Sequence, residues 1–365
     1  MTVPVDERPG VRHLRAIAAS PRPAGSSAED DARRYVTNVL SALGFRVSEE
    51  PFEYSSFPGR CATPLAGAVL TTAAFTSGWF SLARDDAWTA MALLIIVLTA
   101  VSTFARWMLG DGVLTVPWMR ARGVNLVAER GAGEPRVWLV AHIDSKSQPV
   151  PSAARVAGVA LLATGIVLAG AALALKLLGG ESGTLMVGAL FVVGAGGLPV
   201  MASVVGSRSD GAVDNASGVA AVLAAAALVG PNVAIGVLVP SAEELGLAGA
   251  RAWAQTRAVG TALNCDGVDD GGALVIMYND AAPEELVGAV RRAATRPVVA
   301  RRMPLGLLTD STALAHAGWR TVTVSHGSLA TLRRIHTERD SLANLRGTKI
   351  DEVAVILARA AEALA

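Results

Sequence analysis

Four long stretches without a single charged residue constrain this chain more than anything else in it. They run from Cys61 to Ala83, Ala87 to Ala105, Val156 to Leu175 and Ser182 to Ser207. The second holds the run MALLIIVLTAV; the third lies between Arg155 and Lys176, and the fourth between Glu181 and Arg208. A helix needs about 20 apolar residues to cross the hydrocarbon of a bilayer, and each run reaches or approaches that length. Helices buried in a soluble core are shorter and keep a polar stripe. The first run is the weakest candidate, because it is rich in Thr, Ser and Gly. Composition agrees with a lipid-embedded part: 52% of the 365 residues are hydrophobic and 17% charged, against about a quarter charged in an average soluble domain. Mean hydropathy is +0.44.

The runs come in pairs. Arg84-Asp85-Asp86 joins the first pair, and the turn Leu178-Gly179-Gly180 joins the second. Each pair therefore reads as a hairpin that returns to the side it left, which puts residues 1–60, 106–155 and 208–365 on one side of a membrane. The expected organisation is one domain in three pieces (1–60, 106–155 and 208–365), interrupted by transmembrane hairpins at 61–105 and 156–207. Arg60, Arg106, Arg120, Arg122, Lys146, Arg155 and Arg208 flank the spans on the shared side, whereas the tips offer mainly Arg84 and Lys176, countered by Asp85, Asp86 and Glu181. Positive charge near spans favours the cytoplasm, so the expectation is a multi-pass plasma-membrane protein with the three-piece domain cytoplasmic. The polar start, MTVPVDERPGVRHLRAIAAS, lacks the apolar stretch of a secretory signal. Small residues fill the third and fourth spans, which permits close helix packing.

Outside the spans, the pattern alternates between strand and helix. Glu29 to Leu43 reads as an amphipathic helix stopped by Gly44, followed by a strand from Phe45 to Tyr54. Strands are expected at Val124–Ala128, Val137–His142, Val233–Pro240, Ala262–Asp266, Leu274–Tyr278 and Thr321–Val324. Helices are expected at Asn215–Leu228, Gly246–Thr256, Pro283–Ala294, Ser311–Ala317 and Ile350–Leu364. That alternation implies an α/β fold, a mostly parallel mixed sheet between helices. Its ligand crevice should lie beyond the carboxyl ends of the strands.

Several partners are disfavoured. Net charge is +1, with 32 basic and 31 acidic side chains, so there is no basic surplus for nucleic acid. Cys61 and Cys265 are the two cysteines, too few for a disulfide framework or a thiolate metal site. Any metal centre must use imidazoles and carboxylates.

Five short motifs supply both, in order: AHIDS at 141–145, GAVDNASG at 211–218, SAEELGLAG at 241–249, LNCDG at 263–267 and IHTERD at 335–340. Each alone has a bland reading. His142 and His336 can be structural or surface histidines, Asp214 and Asp266 caps, and Glu243-Glu244 a solvated helix start favoured by the dipole. Together they differ, because all but the last follow an apolar element and so gather at one rim of the sheet. Acids crowded there repel each other and lose solvation, a cost that divalent cations offset. Mixed imidazole and carboxylate ligands suit zinc.

The order H-x-D, G-x-x-D-N-x-S-G, E-E-x-G-L-x-G, N-x-D and a late H-T-x-x-D resembles the co-catalytic two-zinc aminopeptidases, the metallopeptidase family (clan MH) that also holds glutamate carboxypeptidases and glutaminyl cyclases. The resemblance covers the chain outside the apolar runs nearly end to end. It implies two zinc ions, with Asp214 bridging both, His142 and Asp266 completing the first, and Glu244 and His336 the second. It makes Glu243 the general base and Asp144 the residue that orients His142; Asp340 would do the same near His336. The implied activity is peptide hydrolysis, with aminopeptidase preferred because open metal positions can hold a free α-amine.

The chain departs from that pattern in three places. The second apolar hairpin fills the interval between His142 and Asp214, usually a short loop, which puts the site near the bilayer and suggests a membrane-associated substrate. Relatives often carry a tyrosine beside the final histidine where this chain has Ile335; His326 is a candidate to stabilise the oxyanion in its place. Thr309-Asp310-Ser311 stands where relatives often have Ser-Asp-His, so Asp310 is a candidate for shaping the substrate pocket or a helix cap. Two alternatives compete: a glutaminyl-cyclase-like acyltransferase, which needs one zinc, and a non-catalytic membrane scaffold or binding protein. No span carries an ionisable residue near its centre, as a transport site would. Oligomeric state is not legible.

Overall fold

The computed structural model describes residues 8–304 and 306–365; residues 1–7 of the expected 1–60 segment lie outside it. In chain order the elements are α1 (Pro9–Ile17), α2 (Ser27–Ala42), β1 (Arg46–Ser55), α3 (Thr63–Ala83), α4 (Ala87–Trp107), α5 (Val113–Thr115), β2 (Arg120–Arg130), β3 (Val137–Val140), α6 (Ser152–Leu177), α7 (Gly183–Met201), α8 (Gly218–Leu228), β4 (Ile235–Val239), α9 (Ala248–Ala254), β5 (Thr261–Val268), β6 (Ala273–Tyr278), α10 (Glu284–Ala293), β7 (Val299–Arg302), α11 (Asp310–His316), β8 (Arg320–Gly327), α12 (Leu329–Arg334) and α13 (Ile350–Leu364). The strands form one mixed sheet in the order β1-β2-β4-β3-β5-β8-β6-β7. Its centre, β4-β3-β5-β8, is parallel, while β1 and β2 run antiparallel at one edge and β6 lies antiparallel to β8.

Every residue of β3 and β4 is buried, as their unbroken apolar sequences require of a sheet covered on both faces. The period of two decides which layer each side chain joins. Val137 and Leu139 face the large core with α1, α8, α10 and α13. Trp138 and Val140 face the other way, into a smaller cluster with Trp253 and Trp319. Trp138 and Trp253 meet edge to face at 4.7 Å between ring centres, a geometry aromatic quadrupoles favour. Trp138 lies beside Gly236 of β4, where a Cβ would run into the indole ring; the glycine in this strand makes room for the tryptophan.

The four apolar runs form α3, α4, α6 and α7, all long and apolar enough to cross a membrane, with mean hydropathies of 1.3, 2.0, 2.3 and 1.9. They gather into a four-helix bundle around Ala74, Leu94, Ile166, Met186 and Val193. The backbones of α6 and α7 approach closely at glycines: a Cβ at Gly196 would strike the Leu162 amide and the Gly158 carbonyl. Small residues at these positions let the two helix backbones approach closely. At the tips, Lys176 bonds the Asp85 carboxylate at 2.7 Å, tying one hairpin to the other.

Candidate active site

Four of the expected site residues lie at or near the carboxyl ends of the parallel strands. His142 follows β3, Glu243 and Glu244 follow β4, and Asp266 sits near the end of β5. The pairing of β5 with β8 slips between Cys265 and Val268, a bulge that re-aims a side chain out of the ladder. Gly267, at φ +76°, is the residue best suited to that bend.

The DNASG motif acts through its amide, hydroxyl and glycine. Asn215 Nδ2 donates to the Cys265 carbonyl, and its Oδ1 accepts from the amides of Gly218 and Gly267. Ser217 Oγ donates to the Val213 carbonyl and accepts from Val268 N. A Cβ at Gly218 would collide with the Asn215 side chain and the Cys265 carbonyl. Together they strap the Asp214 turn to the β5 bulge. Asp214 and Asn215 are joined by a cis peptide and are not helical. The expected helix from Asn215 therefore becomes regular only at Gly218.

The side chains converge around Asp214. Its Oδ1 lies 3.2 Å from His142 Nε2, and its Oδ2 lies 2.8 Å from His336 Nε2. His142 Nε2 is also 3.9 Å from Asp266 Oδ1 and 3.9 Å from Glu243 Oε2. His336 Nε2 is 3.2 Å from Glu244 Oε1. Two groups of three can each hold a metal ion, His142–Asp214–Asp266 and Asp214–Glu244–His336. Asp214 belongs to both and offers one oxygen to each histidine, while Glu243 belongs to neither. The donor set fits zinc chemically: imidazole nitrogens and carboxylate oxygens throughout. It fits locally as well, since His142 Nε2 and Glu244 Oε1 are buried without a hydrogen-bond partner, a costly condition that a cation relieves.

Burial and charge set the protonation of the cluster. Burial lowers His142, yet Glu243, Asp144 and Asp214 outweigh it and raise its pKa well above the usual value. Burial raises Asp214, but the two histidines hold it well below the ordinary range. Glu243 is pushed well above its usual value by burial, with Glu244, Asp310 and Asp266 adding repulsion. Asp266 is pushed to about 7 by burial and by Asp214, and Asp310 to about 8 by burial. Lys146, just outside the first motif, bonds Glu244 Oε2 at 2.5 Å and supplies a counter-charge on the far side of that carboxylate.

The supporting residues differ in part from expectation. Asp144 does lie beside His142, with Oδ1 3.5 Å from Nδ1, but its carboxylate also accepts from the amides of Glu243 and Glu244. It thus ties the histidine's loop to the glutamate turn. Ala242, Leu247 and His336 hold positive φ, strained backbone that persists only where surroundings enforce it. Asp340 was expected beside His336; instead its carboxylate accepts from Val213 N at 2.7 Å and Asp214 N at 3.1 Å, because the 335–340 loop folds back over the Asp214 turn. Asp310 stands within electrostatic reach of His142, Asp266, Asp144 and Glu244, and both its oxygens are buried and unpaired. His326 is not brought to the cluster. Its Nδ1 bonds the Asp269 carbonyl at 2.7 Å, and its charged neighbours are Lys349, Glu352 and Asp269. Arg22 went unnoticed in the sequence: fully buried, it donates to the carbonyls of Ile143, Asp210 and Gly211, joining the loops of His142 and Asp214. Nothing near Arg22 in the sequence marks it.

The comparisons with known proteins follow the same lines. Residues 185–361 match peptidase family M28, a stretch that contains Asp214, Glu243, Glu244, Asp266 and His336 but begins after His142. Among curated proteins, none matches the chain. The fold is similar to an aminopeptidase from an Aneurinibacillus species, with a TM-score of 0.57, 14% identity and coverage of 96% of this chain and 92% of that one. It is similar to a zinc aminopeptidase from Bacillus subtilis, with a TM-score of 0.56, 13% identity and coverage of 99% and 95%. A glutaminyl cyclase from Porphyromonas gingivalis aligns with a TM-score of 0.57, 14% identity and coverage of 98% and 97%. Over residues 185–361 the sequence is similar to peptidase family M28, and over nearly its whole length the chain shares the α/β fold of the zinc aminopeptidases.

Proposed function

We propose that the chain is a membrane-bound, two-zinc aminopeptidase. The observation that carries this reading is the pair of three-residue groups sharing Asp214 beside an unshared Glu243. His142, Asp214 and Asp266 would hold one ion, and Asp214, Glu244 and His336 the other. When bound, the ions would supply Lewis acidity to the scissile carbonyl and lower the pKa of an attacking water. Glu243 takes that water's proton and returns it to the leaving amine. Burial raises its pKa above the usual carboxylate value, the direction that favours taking up a proton. Asp144 holds the amides of Glu243 and Glu244, and Asp340 holds that of Asp214, so the carboxylates stay in place while charge develops. Asp310 shapes the pocket beside them. A cyclase-like acyl transfer needs one zinc, and a second complete ligand group favours hydrolysis.

The exposed surface of the bundle supports membrane residence. Phe191, Trp88, Val167 and Ile96 lie 77%, 75%, 70% and 65% exposed, a surface that water does not tolerate at this density. Trp88 and Trp107 mark the two ends of α4. Nineteen residues at ~1.5 Å rise put them about 28 Å apart, close to the ~30 Å hydrocarbon thickness at whose edges tryptophan collects. The base of the bundle adjoins the site, so the preferred substrate is a membrane-associated peptide with a free N-terminus. In lipid nanodiscs, three substrates test this: a lipid-anchored peptide, its N-acetylated twin and a soluble dipeptide. The expected order is fast, inert and slow. Equal cleavage of the acetylated peptide contradicts aminopeptidase action, and equal rates for anchored and soluble peptides contradict membrane access.

A further inference from the structure

The two imidazoles at the centre of the site are steadied by different parts of the molecule. His142 Nδ1 meets the carbonyl of Asp144 at 3.1 Å, within its own loop on the sheet. His336 Nδ1 meets the hydroxyl of Ser152 at 2.8 Å, and Ser152 is the first residue of α6, the opening helix of the second apolar hairpin. Both side chains are buried, Ser152 at 5% and His336 at 7% exposure.

An imidazole offers a bare nitrogen to a cation only when its other nitrogen carries the proton, and the partner of that proton fixes the tautomer and the ring plane. His336 Nε2 faces Asp214 and Glu244. Nδ1 is then the donor, and Ser152 Oγ the acceptor. The backbone is held from the same direction. Gln148 N donates to the His336 carbonyl at 2.7 Å, against the strain of a positive φ at His336. Ser147 and Gly206 exchange backbone bonds of 2.9 and 2.7 Å, closing the neck through which the hairpin leaves and re-enters the catalytic part. Gln148 Nε2 reaches across that neck to the Ser203 carbonyl. His336 is thus fastened to the hairpin neck in both side chain and backbone.

We propose that Ser152 is a positioning residue through which the second apolar hairpin sets the metal affinity of the Glu244–His336 half of the centre, while the His142–Asp266 half depends on the sheet alone. The proposal rests on the two-metal reading above and assigns the hairpin a part in it.

Zinc titration of the metal-free full chain in lipid nanodiscs tests the proposal, using a competing chromophoric chelator to resolve each equivalent. Wild type should take up two equivalents. Ser152→Ala should leave one unchanged and weaken the other by about 10- to 100-fold, the usual effect of losing such a partner, and Ser152→Thr, which keeps the hydroxyl, should restore it. Ser152→Cys, a weak acceptor of similar volume, carries the same test should the alanine variant not fold. Two unchanged equivalents in Ser152→Ala, or equal weakening of both, overturns the proposal alone. A wild-type chain that binds fewer than two overturns the two-metal reading, and the proposal with it.

Discussion

The sheet and the apolar bundle are built on opposite rules. Around the sheet, Val137, Leu139, Ile235 and Val237 are wholly buried, and removing such surface from water drives the packing. In the bundle several of the largest side chains point outward, Phe191 at 77% and Trp88 at 75% exposure, while Gly158, Gly165 and Gly196 lie at the helix contacts. A core of the first kind is stable in water on its own, whereas one of the second kind is stable where the surroundings are as apolar as its surface. The candidate site lies where the two regions meet, with its chemistry on the sheet and one histidine tied to the bundle.

The sharpest way to break this division is Glu243→Gln. If the chemistry belongs to the sheet rim, turnover falls by about 10²- to 10⁴-fold, while zinc content and melting temperature hold. Loss of metal together with activity would instead make Glu243 a ligand. Next comes a matched pair of truncations. Leu139→Ala empties a fully buried site and should cost about 2–5 kcal/mol in denaturant unfolding. Phe191→Ala, on the exposed face of α7, should change the stability of the nanodisc-embedded chain by less than ~0.5 kcal/mol. Similar losses in the two variants would mean that the bundle hides its surface against protein rather than lipid.

A smaller effect should appear with pH. Asp266, Asp310 and Asp340 have folded pKa values raised to about 7, 8 and 7 by burial. Their ionisation is unfavourable in the metal-free fold, so stability declines as pH rises from ~4 through ~8. His142 and His336 are raised too; the stability they contribute is present below ~6.5 and lost as pH climbs through their folded values. Asp214 and Glu244 are lowered, and their contribution is already complete by pH ~5. The signs agree above pH 6: metal-free protein should melt at progressively lower temperature toward pH 9. Zinc-loaded protein should widen the gap, because ligands bind metal deprotonated. A gap that narrows with rising pH would contradict the cluster's charge balance.

Much of the fold was legible because its elements are long and patterned. The buried strands read as unbroken apolar runs and the four long apolar helices as charge-free ones. What escaped notice lacks such a pattern. β7, VARR, is an edge strand with little burial, so no apolar run marks it. α1 and α12 span nine and six residues, too short for a clear period. Within the site, residues at strand ends could be read from motif order. Residues that act across loops could not: Arg22 joins the 143 and 210–211 loops, and Ser152 reaches His336 from 184 positions away. Asp340 shows the same limit, since its spacing from His336 says nothing about which turn its carboxylate caps. His326 follows an apolar strand like the true rim residues, yet its side chain joins Asp269; a strand's period does not say which layer its last residues enter.

The central claim is that one carboxylate, Asp214, is shared by two metal ions beside an unligated Glu243. Metal analysis of the purified full chain, before and after exchange into zinc, tests it most directly when paired with Asp214→Asn. The account predicts two zinc ions per chain, and loss of both in the variant, since each group of ligands includes Asp214. Fewer than two in the native chain, or two retained without the Asp214 carboxylate, would contradict it.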